Sequence, residues 1–177
     1  MSADVVPTVL LTGTVGSGKT AVAEEVGTLL HEARIPRAMI DLDWLCQLSP
    51  APENDPYAEE LMLRNLGLIW PSFRDGGAQY LVLARVIERR EHLARYREVV
   101  PEADITVVRA LASQDTIRRR LQQREIGSYF EPMWARSKEL ASILDQAQAE
   151  DFTVSNDERP LREVATEVLK RLEWPTP

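Results

Sequence analysis

The chain holds one cysteine, two histidines and only 6% aromatic residues, and each shortage removes a class of chemistry. Cys46 alone cannot close an internal disulfide, which suits a reducing compartment. His31 and His92 lie far apart without metal-ligand spacing, so structural zinc is excluded. No apolar run approaches the roughly 20 residues that cross a bilayer, and Met1 to Pro7 lacks the basic and apolar regions of a signal peptide. A cytoplasmic protein without a membrane partner is expected. Positive charge is also short: 21 Lys and Arg face 28 Asp and Glu, a formal net charge of −7. No overall positive field draws in nucleic acid, which is not an expected partner. Repeats and low-complexity tracts are lacking too.

What is present is a length of 177 residues with 44% hydrophobic content, enough for one domain, 1–177, with a core of its own. Thr8 to Thr12 (TVLLT) reads as a strand buried on both faces, followed by glycines and a helix carrying Val22, Val26, Leu29 and Leu30 on one side. Arg37 to Ile40 reads as a second strand ending at Asp41 and Asp43. Ser49 to Pro56 (SPAPENDP) is a surface loop. Met62, Leu66, Ile69, Trp70 and Phe73 follow helical spacing, with Trp70 and Phe73 read as core, and Pro71 is expected to end or bend that helix near Trp70. Tyr80 to Leu83 and Ile105 to Val108 are the third and fourth strands, with a helix at Arg90 to Val99 between them. Ser113 or Asp115 caps a helix to about Arg124. A helix over Met133 to Ala147, a strand at Phe152 to Val154 and a last helix bearing Leu161, Val164, Ala165, Val168 and Leu172 complete the chain. Strands alternating with helices predict an α/β fold of three layers, a parallel sheet with helices on both faces.

The strongest local signal is Gly13-Thr14-Val15-Gly16-Ser17-Gly18-Lys19-Thr20, which fits the Walker A pattern G-x-x-x-x-G-K-[ST] at every fixed position and lies between a strand and a helix. Three glycines let consecutive backbone N–H groups curl around phosphate oxygens, and the helix N-terminus adds positive potential. Lys19 is assigned to the outer phosphates and the Thr20 hydroxyl to magnesium, making ATP and Mg2+ the expected cofactors. The nucleotide site then comprises Gly13, Val15, Gly16, Ser17, Gly18, Lys19 and Thr20. The other reading of the stretch is a glycine-rich turn with a chance lysine. At the end of strand three, Leu81-Val82-Leu83-Ala84-Arg85 lacks the acid that assists the metal in the wider ATPase pattern. Arg85, at the mouth end of that strand, is a candidate for an anionic substrate group or for pairing with a carboxylate such as Glu88. Cys46 is read as a spectator.

On these residues, and on Arg120-Leu-Gln-Gln-Arg124-Glu-Ile-Gly-Ser-Tyr-Phe, the chain resembles the phosphate-loop small-molecule kinases of the nucleoside-monophosphate-kinase-like group, which includes shikimate, gluconate and adenylylsulfate kinases. The resemblance implies a five-stranded sheet of order 2-3-1-4-5, a substrate-binding region at about 43–85 and a small lid at about 124–136. Asp41-Leu42-Asp43 is similar to the D-x-D of shikimate kinases. That likeness implies Asp41 near the magnesium and Asp43 holding the acceptor hydroxyl and taking its proton; alternation along an extended chain would let both carboxylates face one way. A pair of helix-capping aspartates is the plain alternative. The resemblance also implies that Arg120 covers adenine or phosphate, that Arg124 stabilises the transferring group, and that Arg64 binds substrate. Asn156 falls where relatives hold adenine. Each has an ordinary counterpart: a solvated basic face for Arg120 and Arg124, which Arg118 and Arg119 share, a surface arginine for Arg64, turn chemistry for Asn156. Arg136 is a candidate to close over phosphate.

The function expected is transfer of the γ-phosphoryl group of ATP to a hydroxyl of a small metabolite, by a monomer or homodimer, with Lys19, Asp43 and Arg124 as catalytic residues. Three alternatives stand beside it: a nucleotide kinase, with Arg64 and Arg85 gripping an acceptor phosphate; a regulatory ATP-binding protein; and a polynucleotide 5′-hydroxyl kinase, which would need a basic channel.

Overall fold

The computed structural model describes residues 5–124 and 127–177. Five strands form one sheet of order β2-β3-β1-β4-β5: β1 (Val6–Thr12), β2 (Arg37–Asp41), β3 (Tyr80–Ala84), β4 (Ala103–Leu111) and β5 (Phe152–Ser155). All neighbouring pairs are parallel. The helices are α1 (Lys19–Glu32), α2 (Glu59–Asp75), α3 (Leu93–Val99), α4 (Gln114–Arg124), α5 (Phe130–Ala147) and α6 (Leu161–Arg171). Short 3-10 turns occupy Leu42–Cys46, Arg90–His92 and Gly127–Tyr129.

Because successive strand residues point to opposite faces, the continuous apolar run of β1 feeds two cores. Val9 and Leu11, with Val82 and Ala84 of β3, pack against Val22, Val26 and Leu30 of α1 and Val164, Val168 and Leu169 of α6. Leu10, with Leu81 and Leu83, packs against Met62, Leu66 and Trp70 of α2 and Leu93 and Tyr96 of α3. The result is the three-layer α/β arrangement, with strands covered on both faces.

Two readings of α2 need correction, that it could end near Trp70 and that Phe73 lies in the core. The helix continues through Pro71 to Asp75. A proline removes one N–H and crowds the preceding turn, but tertiary anchors hold the chain beyond it. Trp70 Nε1 donates to Glu102 Oε1 at 2.8 Å and Arg74 Nη1 donates to the same oxygen at 2.6 Å. Phe73, expected in the core, is exposed on the solvent side of the last turn. The start of α2 is fixed by Asp55, whose carboxylate accepts from the Glu59 and Glu60 N–H groups at 2.8 and 2.9 Å. Ahead of α3, the chain from Arg90 to His92 is a 3-10 turn rather than the first turn of an α-helix. Ser113 caps α4, its Oγ accepting from Thr116 N at 3.2 Å. Among the described residues no helix is long and apolar enough to cross a membrane.

Candidate active site

The C-terminal ends of the strands share one edge of the sheet, where ligands of open parallel sheets collect. Leu11 of β1 is level with Ala84 of β3, and Ala84 with Asp41 of β2. The phosphate loop leaves β1 at the centre of this edge and runs into α1.

Gly13, Gly16 and Gly18 have φ of +147°, +83° and +90°, a region where L side chains are strained. At Gly18 the demand is also steric: a Cβ there would collide with Asn156 Nδ2. Asn156 is buried, and its Nδ2 donates to Ser17 O at 2.8 Å. The buried Ser17 Oγ has no hydrogen-bond partner among the described residues. Arg120 reaches across from α4, donating to Ser17 O at 3.1 Å and to Asn156 O at 2.7 Å. Arg120 and Asn156 thus brace the loop against the end of β5. Burial, assisted by Arg119, lowers the Arg120 pKa against the opposing pull of Asp157. Ser137 Oγ of α5 adds a third brace, donating to Val15 O at 2.8 Å.

Beside the loop lies a cleft of about 270 Å3 lined by Gly16, Gly18, Lys19, Thr20, Arg120 and Arg124. It unites Gly16 and Gly18 with Arg120 and Arg124, two of the four arginines of α4. The two residues after Arg124, Glu125 and Ile126, belong to the expected lid and lie outside the described residues.

Asp41 and Asp43 do come together near the loop, but not by strand alternation. Asp41 ends β2 and caps the following 3-10 turn, its Oδ1 accepting from Asp43 N at 2.9 Å. Its other oxygen accepts from Thr20 Oγ1 at 3.0 Å. One oxygen of the carboxylate thus serves the cap, and the other lies on the Thr20 hydroxyl. Asp43, inside the turn, has Oδ2 at 3.7 Å from Lys19 Nζ and Oδ1 at 2.7 Å from Arg85 Nη1. Arg85 pairs with Asp43 rather than Glu88, and Cys46 Sγ accepts from the same Nη1 at 3.0 Å. Burial opposes charge on Arg85, but Asp43 and Cys46 outweigh it and raise its pKa.

A second cleft, about 350 Å3, opens on the far side of Asp43. Lys19 lines both clefts. Its apolar wall includes Val15, Ile87, Met133 and Leu140; its polar wall includes Asp43, Tyr57, Glu59, Arg85, Glu88, His92, Tyr96 and Arg136. Most of these residues were not legible as site residues. They come from the loop before α2 and its first residue, the β3–α3 connection, α3 and α5, and share no local motif. Tyr57 is the best placed of them: its carbonyl accepts from Arg85 Nη2 at 3.3 Å, and its ring lies under the Arg136 guanidinium, 5.2 Å from the centroid. Arg136 is held by Glu88 and by Glu139, the latter at 2.8 Å. Desolvation pushes the buried Tyr96 phenol well above its usual range, so its hydroxyl keeps its proton. Arg64 is exposed on α2 and does not line this cleft. The neighbouring Asn65 faces inward, its Nδ2 donating to Leu45 O at 2.8 Å.

The residues present suit a nucleotide and a divalent cation. The glycine conformations leave the loop's N–H groups free of Cβ shielding. Thr20 Oγ1 and Asp41 Oδ2 supply two adjacent hard oxygens, the donor type magnesium takes when phosphate and water complete its shell. Among the described residues no cluster of three or more His, Cys, Asp or Glu side chains forms a protein-only metal site.

No family model matches the chain, and no curated protein matches it by sequence. Solved structures do. The APS kinase of Mycobacterium tuberculosis, in complex with AMPPNP and APS, is 22% identical, with 97% of this chain and 99% of that one covered and a TM-score of 0.63. Shikimate kinase from Acinetobacter baumannii, in complex with shikimate, is 18% identical over 95% and 93% of the two chains, TM-score 0.61. A gluconokinase from Sinorhizobium meliloti is 20% identical over 97% and 94%, TM-score 0.62. The chain therefore has the three-layer phosphate-loop fold of small-molecule kinases, with the expected 2-3-1-4-5 sheet order.

Proposed function

We propose that this protein is an ATP- and magnesium-dependent kinase that phosphorylates a hydroxyl of a small molecule. The observation that carries the reading is the position of Asp43, bonded to Arg85 in the second cleft and 3.7 Å from Lys19, the residue that lines both clefts. A carboxylate beside that shared lysine is where an acceptor hydroxyl would meet the terminal phosphate. The structural likeness to kinases supports the same reading.

In this reading the loop N–H groups and Lys19 hold the β- and γ-phosphates, while Thr20 and Asp41 would hold a magnesium ion, which would supply charge neutralisation at those phosphates. Asp43 orients the acceptor hydroxyl and accepts its proton. The acceptor oxygen forms a bond to the γ-phosphorus as the bridging bond to the β-phosphate breaks, and ADP leaves with that electron pair. Arg85 fixes the rotamer of Asp43. Arg124, at the last turn of α4 beside the loop, supplies positive charge to the transferring group, and Arg120 braces the cradle and covers the nucleotide. Positioning and charge neutralisation suffice for this chemistry, so no nucleophilic side chain is required.

A panel of hydroxylated metabolites incubated with γ-labelled ATP tests the reading by label transfer. Asp43→Asn is expected to keep ATP binding while its kcat for transfer falls by about 10²–10⁴-fold, the usual contribution of a general base. Retention of full transfer in that variant would remove Asp43 from the mechanism. Tight ATP binding with no labelled acceptor would favour the regulatory reading.

A further inference from the structure

The charged groups of the cleft beyond Asp43 are already matched to one another. Arg85 is bonded to Asp43 at 2.7 Å, and Arg136 is held by Glu88 and Glu139. Glu59 faces His92 at 3.8 Å and Arg95 at 3.5 Å. With Lys19 committed to the donor phosphates, the charged or titratable side chains left to the acceptor are Arg85 and Arg136, the carboxylates Asp43, Glu59 and Glu88, and His92, which faces Glu59. Arg64, the other cation expected to grip an anion, lies outside the cleft. An acceptor carboxylate or phosphate would have to displace Asp43 from Arg85, or Glu88 from Arg136, and then sit beside the carboxylate it displaced. That loses a part-buried ion pair and adds like-charge repulsion. The remaining wall favours a different occupant. Val15, Ile87, Met133 and Leu140 are apolar, Tyr57 offers an aromatic face, and the Tyr96 phenol stays neutral.

We propose that the acceptor is a hydroxyl compound with an apolar or ring-shaped body and no anionic group, a proposal that rests on the kinase reading of this site. Specificity then comes from negative discrimination: the two internal ion pairs spend the arginines that would otherwise recruit an anion.

Two measurements on the whole chain test it. In the first, γ-labelled ATP and magnesium are offered with matched acceptor pairs differing by one anionic group: nucleosides with their monophosphates, polyols with their aldonates, aryl alcohols with their carboxylated analogues. The uncharged member of a used pair is expected to show a kcat/KM at least about tenfold higher, a discrimination that unpaired buried groups readily supply. Preference for the anionic member overturns the proposal and leaves the kinase reading standing; transfer to no acceptor at all overturns the kinase reading and this proposal with it. The second measurement needs no true acceptor. With the phosphate loop saturated by a non-hydrolysable ATP analogue and magnesium, inorganic phosphate or acetate is titrated while following tryptophan fluorescence, Trp44 being exposed beside Asp43. No saturable binding is expected at or below about 1 mM. Saturable binding in that range that Arg85→Gln abolishes would show that the cleft does accept anions and would sink the proposal.

Discussion

Asp41 uses its two oxygens for different ends. Oδ1 caps the 3-10 turn that carries Asp43, and Oδ2 meets the Thr20 hydroxyl. Asp41→Asn keeps an oxygen for the cap but loses the charge proposed to face the magnesium. The magnesium concentration for half-maximal ATP turnover is expected to rise by about 10–100-fold, the usual cost of losing a carboxylate in a metal's environment. An unchanged magnesium dependence would assign Asp41 to the turn alone. At this scale the loop from Gly13 to Thr20 and the two aspartates are legible in the sequence, because their chemistry is local and their spacing fixed. The pairing of Arg85 is not. Glu88 is close in sequence, yet the guanidinium turns to Asp43 because β2 and β3 are adjacent and level at Asp41 and Ala84. Tyr57 and Glu59 escape notice for the same reason: no pattern links them to α5 or to β3, and only the packed fold does.

At the scale of the element, α2 shows tertiary contacts overriding a local signal. Pro71 marks a break in the sequence, yet the helix runs on to Asp75 because Trp70 and Arg74, on either side of the proline, both donate to Glu102 beneath. Glu102→Gln keeps the shape, removes the charge and leaves Arg74 without its counter-ion. A loss of about 1–3 kcal/mol in urea unfolding is expected, as for a charged hydrogen bond broken in a buried setting. The pH dependence has a definite sign. Burial alone would raise the Glu102 pKa, but the bonds from Trp70, from its own backbone and from Arg74 outweigh it and hold the carboxyl below its ordinary 4.5. A group depressed in the folded state contributes stability above its unfolded pKa and loses it as pH falls through the folded value. The gap in stability between the native chain and Glu102→Gln should therefore be widest near neutral pH and close below the ordinary carboxylate range. A gap independent of pH would place the effect in packing instead.

For the whole molecule, the alternation of apolar strands with amphipathic helices is why a three-layer parallel α/β architecture could be expected before any contact was known, whereas the strand order β2-β3-β1-β4-β5 came from the resemblance to phosphate-loop kinases and not from local pattern. The same order puts β1 between β3 and β4, so the phosphate loop emerges at the middle of the sheet edge. From there it is braced on several sides at once: by α4 through Arg120, by the end of β5 through Asn156 and by α5 through Ser137. A ligand seated in that loop draws on elements spread across the chain, so its binding should be felt in global unfolding. ATP with magnesium at about 100 times its dissociation constant stabilises a protein that binds it only when folded by about 2.7 kcal/mol, which for a chain of this size raises Tm by roughly 5–10 °C. Lys19→Ala removes the phosphate contact but none of these three braces, so it should leave the Tm of the free protein close to native and abolish most of the rise. The rise should persist in Asp43→Asn, because that carboxylate faces the acceptor side of Lys19 rather than the phosphate cradle. A calorimetric scan of the three proteins with and without ATP separates the cases. If Asp43→Asn also loses the rise, the two clefts are not the separable donor and acceptor sites proposed for them.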